Sequence, residues 1–475
     1  MTIPTATDAR GRPDRTGPTA DTDGTPADEP EAVEPGAAEP EADKPGAAEP
    51  EADKPGATGG ADTAAAGADA PSPAVPLRRN MDFLRLWVGA GLSKFGSTVS
   101  MVAYPMLVLW QTGSATACGY VAFAAALPNL LVQLPAGALV DRWDRRKVML
   151  VCDAVRMLAF AAVALAAYHH WVWVPFIMAA AFVESALGIF YSTAEQVTVR
   201  NVVPVEQLPA ALAQNQARGA AIGLLGQPLS GLLFTVLRWL PFAVTAVADL
   251  VALICLTFIR RDLRAAPTGP PQRLHHEIKD GVVWLWRQKF LRIMTAVFAG
   301  SNLLFQMLSL TVMVVIKEHG GSPAVLGLVS GVAGVGGLLG ALAAGWWAKR
   351  VGLYATAVLG HLVWLVLMPL VALLHRPVAI GLVAAGIMFV AGLFNVCGGV
   401  YMARNTPNEL QGRVTATSAF LTSGANALGS LAAGYLLARA GTTWTAIVMA
   451  AVLLLLTAAV TLSPAVRAAG REAPA

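Results

Sequence analysis

Between Leu84 and Ser463 the chain alternates long apolar runs with short polar breaks. A helix of roughly 20 apolar residues crosses a hydrocarbon layer roughly 30 Å thick. The runs predict twelve membrane-crossing helices near 84–110, 116–139, 148–168, 172–197, 212–237, 240–260, 290–316, 323–347, 353–374, 378–402, 413–438 and 442–463. Composition agrees: only 13% of the 475 residues are charged, about half the share usual in soluble domains, as expected where charge is costly in hydrocarbon.

The basic residues orient these spans. With the N-terminus inside, twenty-two Lys/Arg fall on the inner side and four, Arg238, Lys317, Arg376 and Arg439, on the outer side. Lys94, Arg156 and Arg218 lie within spans. Positive charge stays cytoplasmic, so both termini are expected in the cytoplasm of a cell with this multi-pass protein in its inner membrane.

Residues 1–76 are different in kind. They carry sixteen Asp/Glu against five Lys/Arg, no aromatic residue, and a ten-residue repeat running from Glu31 to Gly60. Too little apolar surface is available to offset the entropy of ordering, so a disordered acidic spacer is expected. No basic-then-apolar leader precedes it, and Arg78-Arg79 reads as the basic flank of span 1 rather than a twin-arginine signal. The overall charge of +4 thus combines a basic membrane body with an acidic tail, and gives no support for a nucleic-acid partner. Cys118, Cys152, Cys255 and Cys397 all fall in apolar spans without CxxC spacing, and read as packing residues rather than disulfide or metal ligands. No metal and no cofactor are expected.

The body repeats itself. Arg200-Asn-Val-Val-Pro204 returns as Arg404-Asn-Thr-Pro407, Gly137-Ala-Leu returns as Gly340-Ala-Leu, and the starts of spans 1 and 7 differ similarly, all by 203–206 residues. An even unit of six spans repeated in the same orientation is a parallel repeat, an arrangement found in transporters. The expected organisation is a tail (1–76), a six-helix bundle (77–260), a cytoplasmic linker (261–289), a second bundle (290–463) and a short tail (464–475). In the linker 275–288 mixes Trp284 and Trp286 with charge, as an interfacial helix would. His275-His276 there reads as a solvated pair rather than a metal site.

The second loop reads Gly137-Ala-Leu-Val-Asp141-Arg142-Trp143-Asp144-Arg145-Arg146-Lys147. It resembles the major facilitator superfamily signature G-x-x-x-D-R-x-G-R-R, departing at Asp144, where the pattern has glycine. Asn80-x-x-Phe83-x-Arg85-Leu86-Trp87 and Pro407-x-x-Leu410-x-Gly412-Arg413-Val414 are similar to the drug–proton antiporter branch, which includes macrolide-efflux proteins and the enterobactin exporter. The resemblance implies an all-α membrane protein with the major facilitator fold. It also implies that Asp141 faces the positive start of span 11, and that Arg142 or Arg145 reaches Glu195, latching the cytoplasmic side. Gly137, four residues before Asp141, would let backbones approach closely; Arg146 belongs to the same basic run. The alternative for the loop is positive-inside anchoring alone. In span 5, Gly226-Gln227-Pro228-Leu-Ser-Gly231 resembles the antiporter motif G-P-x-x-G, interrupted by Gln227; a glycine packing face is the other reading.

Ionisable residues inside spans are functional candidates. Glu184, mid-span 4, is the expected proton carrier, since a carboxyl in hydrocarbon can cycle between neutral and charged; the alternatives are a structural partner for Lys94 or a polar substrate contact. Asp153 and Arg156 are expected to pair at i,i+3, and Asp249 in span 6 to hold helices together. Tyr104, Gln133 and Gln227 in the first half, and Asn302, Gln306, Asn395 and Asn426 in the second, are candidate contacts in a mostly apolar cavity, though each could equally be a helix–helix hydrogen bond.

The resulting expectation is a secondary active transporter, a monomer, that exports small amphipathic molecules of the drug, macrolide or siderophore kind by alternating access, coupled to protons across the lipid bilayer. The alternatives are a nutrient importer on the same fold and a membrane-embedded lipid-modifying enzyme. The chain contains no HExxH, no GxSxG serving a hydrolase turn, no paired-Asp metal motif and no GxxxxGK[ST] loop that an enzyme or ATPase would call for.

Overall fold

The computed structural model describes residues 77–259, 289–405, 408–464 and Arg467, without the side chains of Leu134, Ala138, 289–291, Leu353 and 401–416. The acidic tail and the 260–288 connection, with its expected interfacial helix, lie outside the described residues.

Every regular element described is helical. Spans 1 and 3–10 are Met81–Thr112, Arg145–Tyr168, Val174–Val202, Leu208–Val236, Leu240–Thr257, Lys289–Glu318, Pro323–Ala348, Leu353–Leu370 and Pro377–Asn405. Span 2 is built from two pieces, Ala115–Leu131 and Gln133–Val140. Pro135 accounts for the break, because its ring collides with the carbonyl four residues back, at Leu131. The last helix, Asn408–Leu462, is divided by Gly441, whose φ of 78° and ψ of −177° only glycine adopts easily; its parts, 408–440 and 442–462, are spans 11 and 12. Among the described residues ten helices are long and apolar enough to cross a membrane. The last of them contains the Gly441 break and Ala115–Leu131 is shorter, a set consistent with the twelve apolar runs.

Local chemistry sets the helix starts. Asn80 caps span 1 by accepting from Phe83 N at 3.1 Å, and its amide donates to Val202 O at 3.0 Å, tying span 1 to span 4. Asp144 caps span 3, accepting from Arg146 N at 3.0 Å and Lys147 N at 3.4 Å. This explains the acid where the loop pattern has glycine: it satisfies orphan N–H groups and places negative charge at a helix N-terminus.

Spans 1–6 pack mainly on one another, as do spans 7–12, and the sets are bridged chiefly by span 2 with span 11 and span 5 with span 8, with smaller contacts from span 7 to spans 1 and 2. The bridges are tightest at the ends remote from the signature loop. A Cβ added to Gly119 would lie 2.8 Å from Gly434 Cα, and one added to Gly231 would lie 2.8 Å from Gly327 Cα, so only glycine permits these crossings. At the same end Lys317 Nζ, from span 7, donates to Leu109 O of span 1 at 2.6 Å. A crevice of about 380 Å³ surrounds it, lined also by Gly113, Glu318 and Leu437. Toward the loop end the described packing is looser: nothing described lies within 4 Å of a Cβ built on Gly137, Gly219, Gly223 or Gly345.

Candidate functional site: a buried charge cluster

The first half encloses a group of charges. Arg156 projects from span 3 and is 1% exposed. Its guanidinium donates to Ser93 Oγ at 2.5 Å, Ser97 Oγ at 2.6 Å and Ser93 O at 3.3 Å, all on span 1. Three carboxylates stand around it: Asp153 at 3.7 Å, Glu184 of span 4 at 3.6 Å and Asp249 of span 6 at 3.6 Å. Ser93 Oγ also donates to Asp153 Oδ1 at 3.1 Å. Four helices thus converge on one cation. The apolar wall comes from Phe160, 5.9 Å below the guanidinium, and Tyr104, which packs on Phe160 and Phe242 at centroid distances of 6.2 and 5.2 Å.

The cluster is polar without being fully paired. Among the described residues both Asp249 carboxylate oxygens, Asp153 Oδ2, Arg156 Nε and Tyr104 Oη have no hydrogen-bond partner. Buried ionised groups in that state are expensive, which makes the cluster responsive to protonation and to movement of any of its helices.

The structure places the expected site residues as follows. Glu184 is buried and meets Arg156, while Lys94, the alternative partner, is exposed. Asp153 and Arg156 do stand together at i,i+3. Tyr104 is turned into the first half, 1% exposed, so in this conformation it does not offer itself to an open cavity. Gln133 and Asn395 are exposed, and Gln227, Gln306 and Asn426 are half-buried. Asn302 spends its amide on Phe298 O, 2.9 Å away on its own helix. No hydrogen bond joins any two of these seven residues among the described residues.

At the loop, Asp141 is exposed and lies 3.9 Å from Arg145, while Arg146 donates to Thr257 O at 2.7 Å and Arg142 is exposed. Glu195 pairs instead with Arg218 of span 5 at 2.5 Å. Arg218 also donates to Trp87 O at 2.6 Å and sits over the Trp87 ring, so the expected Arg142/Arg145–Glu195 latch is not formed here. The expected close approach at Gly137 is absent as well. The side chains at the start of span 11, which Asp141 was expected to face, lie outside the described residues. In span 5, Gly226 packs on Thr98 of span 1, and Pro228 and Gly231 pack on Gly331 and Gly327 of span 8. The antiporter-like motif therefore joins both halves.

Two residues escaped the sequence reading. Arg218 was visible as a cation within a span. His361 in span 9 was equally visible, being ionisable and intramembrane. It is fully buried, with Nε2 3.3 Å from Ser301 Oγ, Nδ1 2.8 Å from Ala357 O, and Trp364 and Phe394 edge-on to its ring. His361 follows Arg156 by 205 residues and Ser301 follows Ser97 by 204, inside the repeat offset. The same third-helix-to-first-helix contact therefore occurs in each half.

The Major Facilitator Superfamily model matches residues 86–415 and, in a second match, 295–475. The chain is 28% identical to the multidrug efflux pump Tap of Mycolicibacterium fortuitum over 76% of this chain and 88% of that one. It is 26% identical to macrolide efflux protein A of Streptococcus pyogenes over 37% of this chain and 42% of that one. Among solved structures, the nucleoside transporter NupG superposes with a TM-score of 0.66 at 11% identity, covering 80% of this chain and 98% of that one. A bacterial homologue of the lysosomal transporter Spinster gives 0.64 at 14% identity, covering 84% of this chain and 99% of that one. At those identities the likeness is one of fold.

Proposed function

The chain belongs to the major facilitator superfamily and is a multi-pass membrane transporter, and from that premise we propose that it exports small amphipathic molecules by alternating access, in antiport with protons. The observation that carries export is the similarity to a multidrug efflux pump along most of both chains. Proton coupling is supported by the Arg156 cluster, where three carboxylates share one buried guanidinium.

The positive-inside bias supports a cytoplasmic signature loop. On that reading the loosely packed end is the cytoplasmic one, and the tight glycine crossings with the Lys317–Leu109 link close the outer end. This is the loading state of an exporter. Rocking about the span 2–11 and span 5–8 bridges would part the outer crossings and bring the loop-side ends together, where Arg142 and Arg145 are free to meet Glu195 once Arg218 releases it.

Everted membrane vesicles containing the full chain test this reading. A proton gradient should drive uptake of lipophilic drugs or macrolides into the vesicles, and Glu184→Gln should abolish gradient-driven uptake while leaving downhill exchange. Gradient-independent movement by the parent, or accumulation of a nutrient in intact cells that depends on this protein, overturns it.

A further inference from the structure

We propose that the Arg156 cluster is a two-proton site: Asp153 and Asp249 hold the protons, and Glu184 is the ionised partner of Arg156. The inference deepens the proton-coupling reading above and rests on it only for its use in transport.

The charge count comes first. Three carboxylates share one guanidinium inside the bundle. No second cation is buried with them among the described residues: Lys94, on span 1, is solvent-exposed and its charge bears on Glu184 alone, which favours Glu184 as the ionised acid, and Arg218, on span 5, is engaged by Glu195. The other groups facing the cluster are neutral or acidic. They are Ser93, Ser97 and Tyr104 of span 1, Cys152 of span 3, and Tyr191 and Glu195 of span 4. Ionising all three acids would leave two uncompensated negative charges in a low-dielectric interior, which proteins avoid by binding protons.

Geometry then assigns the protons. Arg156 spends its hydrogen bonds on Ser93 and Ser97, so the carboxylates are held at 3.6–3.7 Å, beyond direct donation. An ionised carboxylate wants several donors. Asp249 has none on either oxygen, and Asp153 has Ser93 on one only. Both side chains are 0% exposed, whereas that of Glu184 is 10% exposed. The acid nearest solvent keeps its charge at least cost, and the two sealed ones are neutral. Each accepts one proton at a carboxylate oxygen, forming an O–H bond, and returns it to water when the bundle opens; no other reactant is needed. Loss of both protons would leave like charges on spans 3, 4 and 6, and so couples deprotonation to their separation.

The test needs no transported molecule. Infrared spectra of the purified full chain in lipid nanodiscs should show two protonated-carboxyl C=O bands near neutral pH, both shifted by deuterium. Asp249→Asn should remove one and Asp153→Asn the other, while Glu184→Asp, which keeps the charge, leaves both. Alkalinisation should release two protons per molecule from the parent through the cluster and one from either Asp variant. A parent spectrum without protonated-carboxyl bands overturns the proposal, as does a shifted or missing band in Glu184→Asp. Should Asp249→Asn fail to fold, Asp249→Glu should shift one band rather than delete it, and an unmoved spectrum counts against the assignment. Because no transport is read, failure here leaves the vesicle experiment standing, and the reverse also holds.

Discussion

The third helix of each half makes the same contact with different chemistry. In the first half Arg156 bonds Ser97 and gathers three acids. In the second His361 bonds Ser301 and gathers Trp364 and Phe394. The residues one repeat beyond Glu184 are Ile387, Met388, Phe389 and Val390, and those beyond Asp249 are Val452, Leu453, Leu454 and Leu455. The difference follows from the two bases. A guanidinium stays charged and needs compensating acids when buried, whereas an imidazole can be neutral and tolerates an aromatic cage. One scaffold position is thus ringed by acids in one bundle and by aromatic rings in the other, so the proposed proton chemistry belongs to the first half.

The largest expected effect comes from removing the hub cation. Arg156→Met leaves buried carboxylates without their partner, and breaking a buried ionic set in this way costs about 3–5 kcal/mol. Thermal unfolding of the purified protein should show a much lower midpoint than the parent, with transport lost. Neutralising the acids in the same variant, with Asp153→Asn, Glu184→Gln and Asp249→Asn, should restore most of the stability and none of the proton coupling. If Arg156→Met unfolds like the parent, the cluster is not the energetic centre of its bundle.

A second contrast concerns the repeated glycines. Gly340 is pressed against the Phe389 carbonyl of span 10, while its counterpart Gly137 has open space around it. Gly340→Leu must therefore push spans 8 and 10 apart, at about 1–3 kcal/mol. Gly137→Leu should leave the unfolding midpoint nearly unchanged and still reduce transport, because span 2 needs that space when the loop-side ends close. Equal destabilisation by the two substitutions would mean that the halves are packed alike.

These contrasts also show what the sequence could carry. The twelve crossings were legible because each is a long apolar run, and even the Pro135 break falls within one of them. Glu184, Asp153 and Asp249 were legible singly as acids in apolar surroundings. Their convergence on Arg156 was not, since they lie on spans 3, 4 and 6 and periodicity within a helix says nothing about which neighbour its face meets. The Glu195 partner was misread for a related reason. A loop motif names only loop cations, whereas the acid's partner Arg218 lies on span 5, outside the motif. His361 was passed over because a lone histidine lacks an acidic companion in the sequence, although its place in the repeat pairs it with Arg156.

Where the halves meet, the second supplies a cation and the first a helix end. Lys317 reaches the carbonyl of Leu109 near the C-terminus of span 1, where the helix dipole is negative. Lys317→Gln should remove about 1.5 kcal/mol from the closed end remote from the signature loop, roughly a tenfold shift in the closed-to-open ratio. Labelling of a cysteine at Thr116 in otherwise cysteine-free protein would read it as faster modification from outside. Unchanged labelling would assign outer closure to the glycine crossings alone.

The smallest effect is expected at His361. His361→Gln keeps a hydrogen-bonding group near Ser301 and loses only the ring's packing among Trp364 and Phe394, so its cost should be about 1 kcal/mol. If the second half is a neutral hub, the variant should keep gradient-driven uptake and its dependence on external pH, with only a slightly lower unfolding midpoint. A variant that folds like the parent yet loses that dependence would place a titrating group in each half, and the division between charged and neutral bundles would fail at the position that defines it.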